Sequence, residues 1–223
     1  MHSVARGELN NTVYCYFSSY QEEHHDDNVA MIRHWRRSWG KNGWNAIVLT
    51  EADAKSHPFY HEVTRALFRL PTTNHHLYEL ACYHRWLAVA HRGGGWMCDY
   101  DVVNYGFKPI PIQSDLTIWE SHDNRDDVVP SLVSGTMAGF LHAAMAFALV
   151  DVNEVIGIGH GVAQHTSDML VLQKMAQRDF FNISPTVIQY GHPGWENAHL
   201  IHYSHSTTEN TDRVECMKTA RPL

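Results

Sequence analysis

Short apolar runs alternate with amphipathic stretches along most of the chain. Val13-Tyr14-Cys15-Tyr16-Phe17 is β-branched and aromatic, is bounded by Asn10-Asn11 and Ser18-Ser19, and predicts a buried strand. A charged loop follows. Val29, Ile32, Trp35 and Trp39 then recur at helical spacing up to Gly40, and Ala46-Ile47-Val48-Leu49 predicts a second strand, giving a β-α-β unit. Pro58, favourable in a first turn, opens a further helix that runs towards Leu70 and stops at Pro71. Over residues 77–91 the apolar positions Leu80, Tyr83, Leu87 and Ala90 lie along one side of a helix, which the glycines at 93–95 end. Residues 96–98 and 116–119 predict strands, residues 139–150 a helix, and residues 187–190 and 199–203 late strands. Thr166-Ser167-Asp168 ahead of Met169-Leu170-Val171-Leu172 has the pattern of a helix start, with Asp168 as a capping or first-turn acid. From Ser206 onward the chain is polar and is expected to fray.

A chain of 223 residues supports one domain with a real core, expected over about 11–205 and followed by a polar tail. A formal charge of −7, with no concentrated Lys/Arg surface, argues against nucleic acid as a partner. Cys15, Cys82, Cys98 and Cys216 are far apart and form no Cys-x-x-Cys pair, so they are expected to be reduced thiols. The start of the chain lacks the apolar core of a signal peptide. The longest apolar run, residues 137–150, is interrupted by His142 and is too short to span a membrane. A cytoplasmic protein without a transmembrane segment is the expectation. The 18 histidines are mostly surface or core residues on this reading, and only those near other ligand types suggest a metal.

Candidate chemistry concentrates in Gly93-Gly94-Gly95-Trp96-Met97-Cys98-Asp99-Tyr100-Asp101. Where a strand ends and the chain turns, two acids spaced by one residue can converge on a hard cation such as Mg2+ or Mn2+, which can in turn neutralise a diphosphate. The carboxyl edge of an open α/β sheet is also where ligands bind. The same spacing occurs in surface turns, where the acids merely cap a loop.

Arg85-Trp86-Leu87, Gly94-Gly95-Trp96 and Asp99-Tyr100-Asp101-Val102, taken in order, resemble the sugar-binding region of GT-A fold glycosyltransferases that carry a short Asp-x-Asp motif. The resemblance covers about the central quarter of the chain. It departs at Cys82, where the family often carries an acid three residues before the Arg, and in a glycine turn one residue longer. It implies an α/β fold: a GT-A-like single domain with a Rossmann-like mixed central sheet flanked by helices. It also implies a nucleotide-diphosphate-sugar donor and a hydroxyl acceptor on a glycan, lipid or protein. Asp101 would bind the metal directly, Asp99 the metal shell or the donor ribose, and Arg85 the sugar or pyrophosphate. Tyr16 and Ser18 would hold base and ribose at the end of the first strand, with Phe17 left to the core. Similar enzymes often complete the metal shell with a late-strand histidine, here His202 in Leu200-Ile201-His202-Tyr203, and His205 is the second choice. On a strand His199 and His202 point to opposite faces. An Asp-Asp-His set favours Mn2+ over Mg2+.

An inverting transferase also needs a carboxylate base near the acceptor. Asp168 is the first candidate and Glu120, directly after a predicted strand, the second. Asp123, Asp126 and Asp127 read as a solvated loop. Two other functions fit the same residues. One is a metal-dependent phosphohydrolase or nucleotidyltransferase. The other is a non-catalytic carbohydrate-binding module that stacks Trp96, Trp119 and Trp195 on sugars.

Overall fold

The computed structural model describes residues 3–7, 9–18, 25–122, 127–155, 157–158, 164–208 and 212–221. Its centre is a six-stranded mixed sheet in the order β2-β1-β3-β6-β5-β9. β1 (Thr12–Tyr16), α1 (His25–Lys41) and β2 (Asn45–Leu49) form the expected β-α-β unit, with β1 parallel to both β2 and β3 (Gly94–Cys98). α1 begins earlier than its apolar spacing suggests, because Asp26 and Asp27 in the first turn complement the helix dipole. Between β2 and β3 lie α2 (Glu51–Lys55), α3 (Tyr60–Leu67) and α4 (His76–His91). α3 is shorter at both ends than the helix expected over 58–70.

β6 (Val128–Thr136) runs antiparallel to β3 and to β5 (Leu116–Ser121), and β9 (Asn182–Ile183) adds to β5 in parallel. β6 is not among the strands expected from the sequence, and it carries Pro130, a residue that interior strands usually exclude. The proline is tolerated because β3 pairs only from Leu132 onward, and the β5 register shifts between Ile118 and Glu120 at the same level. Gly94 sits at φ +92°, and a Cβ on it would lie 2.6 Å from the Met137 nitrogen, so the start of β3 demands glycine.

A second, three-stranded sheet joins β10 (Val187–Gln189), β11 (Leu200–His202) and β4 (Val102–Asn104). α5 (Met137–Ala148), α6 (Val152–Val155), the short β7 (Gly157–Ile158) and β8 (Gln164–His165), and α7 (Asp168–Gln177) complete the body. One side of the main sheet buries Trp86, Leu87, Phe140 and Phe147 from α4 and α5. The other side buries Trp35 and Trp39 of α1 with Trp44, Trp96 and Trp119. Trp96 and Trp119 are 0% and 4% exposed. They belong to the core and are not available to stack on a sugar, whereas Trp195 is only half-buried, against Tyr190.

The expected fraying from Ser206 is corrected by α8 (Arg213–Thr219), whose first turn is capped by Asp212 accepting from the Glu215 nitrogen. Val214 and Met217, one turn apart, bury against Met31, Ile201 and Tyr203. An apolar pair at helical spacing thus holds a segment that is polar overall. Residues 209–211 and 222–223 of that tail lie outside the described residues, as do Asp123 and Asp126. None of the four cysteines forms a disulfide. Among the described residues no helix is long and apolar enough to cross a membrane.

Candidate metal centre

At the end of β3 the chain turns through Asp99-Tyr100-Asp101, with the Val102 nitrogen donating to the Asp99 carbonyl at 3.1 Å, and enters β4. β11 pairs antiparallel with β4, placing His202 opposite Val102, and the Tyr203 nitrogen donates to the Asp101 carbonyl at 3.0 Å. Backbone pairing alone therefore brings a late histidine to the two acids. Asp99, Asp101 and His202 each offer one ligand atom, all within 4.8 Å of one another. Oxygen ligands sit about 2.1 Å from a Mg2+-sized ion, so two of them span at most about 4.2 Å. The three atoms would have to draw inward to hold a single cation.

The local charges fit such an ion. Asp101 is 9% exposed; its Oδ2 accepts from Arg213 at 3.1 Å, whereas its buried Oδ1 has no hydrogen-bond partner and lies 3.5 Å from His202 Nε2. Burial raises the Asp99 pKa and Arg85 opposes that rise, while the neighbouring Asp101 adds to it. Burial works against protonation of His202, but Glu120 and Asp101 overcome it and raise its pKa to about 9. Negative charge in the cluster thus draws in a positive one, and a metal can take the place of the proton.

His202 is held from behind. Its Nδ1 lies 2.8 Å from Glu120 Oε2, which leaves Nε2 for the acids and the cation. Glu120 also receives His122 at 3.0 Å, Gln189 Nε2 at 3.0 Å, and the Ser131 hydroxyl. Burial alone would raise its pKa, but His202, His122 and Ser131 hold the carboxylate well below its usual range. It is 0% exposed and does not line the cleft. The expectation of Glu120 as a base facing the acceptor is corrected accordingly: both oxygens are engaged, Oε2 behind the histidine, the position a carboxylate takes behind a metal-binding histidine. Glu120→Gln is expected to weaken Mn2+ binding about 10- to 100-fold, as removal of such partners does. At saturating Mn2+ the variant should bind ligand like the wild type, and a defect that persists there would show a role beyond positioning.

A cleft of about 1080 Å³ opens in front of the cluster. Tyr16, Phe17 and Ser18 line it from the end of β1, and Arg85, Asp168 and His205 line other walls. Phe17 meets Tyr100 edge-on at 6.3 Å, so it faces the cleft as well as packing. The Tyr16 hydroxyl is buried without a partner. His199 is exposed beside Gly106, on the other face from His202. His205 is exposed in the turn after β11 and is not part of the ligand cluster.

Arg85 joins two parts of the site. Its Nη1 pairs with Asp99, its Nη2 with Asp168 at 2.7 Å, and its Nε donates to the Cys82 carbonyl at 3.0 Å. Trp86 Nε1 also donates to Asp168 at 3.2 Å. Asp168 stands in the first turn of α7 after the Ser167 cap, so the structure places it at a helix start as expected. It reaches the cleft as a carboxylate already paired with a cation.

Sequence reasoning missed two residues here. Arg213 lay in the tail expected to fray. Glu79 lies six residues before Arg85 on α4, a spacing that puts the two about 120° apart round the helix, so periodicity gave no signal that both border the cleft. It lines the cleft, is 5% exposed, and has a pKa raised to about 7, chiefly by burial and then by Asp168, against the pull of Asn74 and Arg85. The folded chain then keeps a proton that the unfolded chain releases near pH 4.5. Stability is lost as pH rises from about 4.5 to about 7, by up to about 3 kcal/mol. Glu79→Gln should flatten this slope and leave the protein more stable than wild type at pH 8, as read by urea unfolding at pH 5 and pH 8.

Residues 7–113 match the family model described as a domain of unknown function (DUF8765). That stretch covers β1 to β4, including Asp99 and Asp101 but not His202, and carries no activity with it. No curated protein matches the chain.

Proposed function

We propose that the chain is a GT-A type glycosyltransferase that uses Mn2+, or Mg2+ in its place, to move a sugar from a nucleotide-diphosphate-sugar to a hydroxyl acceptor. The observation that carries this reading is the convergence of Asp99, Asp101 and His202 at the carboxyl edge of a mixed sheet, at the mouth of a cleft of about 1080 Å³. A cleft of that size suits a ligand as large as a nucleotide sugar.

A cation bound there supplies charge stabilisation for a departing diphosphate. Asp99, Asp101 and His202 would hold it, and Glu120 keeps the His202 ring turned so that Nε2 faces the site. Tyr16, Ser18 and Arg85 line the cleft; on this reading Tyr16 and Ser18 would hold the nucleotide and Arg85 the sugar or pyrophosphate. Asp168 is the carboxylate nearest in kind to an acceptor base, but its pairing with Arg85 fits a group that orients a hydroxyl better than one that strips its proton. Cysteines without disulfides suit a reducing compartment, so we place the activity in the cytoplasm.

The test is calorimetric titration with a panel of nucleotide diphosphates and nucleotide sugars, with and without Mn2+. Metal-dependent binding of one nucleotide class, weakened more by His202→Ala than by His199→Ala, is expected. Binding of none of them overturns the reading. Donor cleavage with no glycosylated product from any acceptor supplied would return a phosphohydrolase instead.

A further inference from the structure

Beside the cleft, α4 packs against the segment that leads into α7. A small cavity of about 10 Å³ lies between them, lined by apolar residues such as Leu67 and Leu80 and by Glu79, Tyr83 and Thr166. Each of those last three carries a buried polar atom without a hydrogen-bond partner: Glu79 Oε2, the Tyr83 hydroxyl and Thr166 Oγ1. The residues are 5%, 2% and 1% exposed. Buried polar atoms in native proteins are almost always paired, and three orphans lining one cavity call for a common partner.

We propose that this cavity is a binding site for one ordered water molecule, which bridges Glu79, Tyr83 and Thr166. Its size decides the ligand. A buried water needs about 10–15 Å³ of such space and two to four polar partners, and both conditions are met. A phosphate, a sugar or a hydrated cation is far too large. The hydrogen bonds also balance: water donates to the carboxylate and to one hydroxyl and accepts from the other. With a pKa raised to about 7, Glu79 occurs in both protonation states near neutrality, and the freely rotating hydroxyls and water can satisfy either.

The bridge has a mechanical consequence for the cleft. Thr166 donates its backbone nitrogen to the Pro71 carbonyl at 2.8 Å, and the Thr73 nitrogen donates to His165 Nδ1 at 3.3 Å. Those bonds fix the segment to the loop before α4. The water fixes it to α4 itself, two residues ahead of Asp168. It thereby sets the height at which Asp168 meets Arg85.

Crystals of the full chain at about 1.5 Å resolution should show a density peak within hydrogen-bond distance of all three atoms. Tyr83→Phe and Thr166→Val, both close to isosteric, should each lower the folding equilibrium constant about fivefold. Because the two hydroxyls share one water, the double variant should depart from the sum of the two effects. An empty cavity in the density overturns the proposal. So does a Tyr83→Phe variant as stable as wild type, since deleting a hydroxyl that has no partner costs nothing.

Discussion

Asp101→Asn is expected to reduce Mn2+ affinity by at least about 100-fold, more than the loss of a supporting partner costs, and to abolish metal-dependent binding of nucleotide sugars. The substitution keeps the shape of the side chain and removes its charge. Oδ1, buried, without a hydrogen bond and 3.5 Å from His202 Nε2, is the atom best placed for a cation, and a neutral amide oxygen there ligates poorly. The fold should survive, because the turn is fixed by backbone bonds from Val102 to Asp99 and from Tyr203 to Asp101 that use no side chain. Calorimetry with Mn2+ alone reads the effect, and circular dichroism checks the fold. Unchanged Mn2+ binding in a folded variant would remove the metal centre from the account.

The second large effect concerns stability. Arg85→Met should destabilise the protein by about 3–5 kcal/mol, as breaking a buried ion pair from one side does. The guanidinium is 10% exposed and bridges Asp99 and Asp168, of which Asp168 is 6% exposed, so the variant leaves carboxylates facing each other without a counter-charge. The helix offers no replacement: Cys82, one turn back, is neutral, and Glu79 adds a further acid. Adding Asp168→Asn to Arg85→Met should restore part of the loss, by relieving that repulsion. Urea unfolding of the two variants measures both changes. A loss below about 1 kcal/mol, the range of a solvated pair, would mean that Arg85 is a surface ion pair.

Much of the architecture was legible because apolar periodicity is a local signal. β1, β3 and α4 carry it plainly, and the acids after β3 follow from where a strand ends. His202 was reachable through the strand pattern around it, and the opposite orientation of His199 followed from the two-residue repeat. What was not legible depends on contacts across the chain. β6 carries a proline, Pro130, which its ladder accommodates where the β5 register shifts. Only the packing of Val214 and Met217 on α1 and β11 explains why the tail is helical. Glu120 looked like a catalytic acid because a carboxylate after a strand often is one, and only the direction of His202 Nδ1 shows that it faces the other way. The unpaired atoms of Glu79, Tyr83 and Thr166 have no signature in sequence.

The pairing of β4 with β11 has a bearing on how the molecule is made. The acids belong to the first half of the chain and their histidine to its final part. A nascent chain emerging from the ribosome can complete β1, β2 and β3 with Arg85 beside Asp99 but with neither His202 nor Arg213 yet made to balance Asp101. A cation that needs all three side chains would load only after β11 has been synthesised and has zipped onto β4. Such an ion would be a clasp fastened last, and at 100 times its dissociation constant it would add about 2.7 kcal/mol to the finished fold. Metal supply would in that case govern how much of the newly synthesised protein escapes proteolysis, quite apart from any turnover.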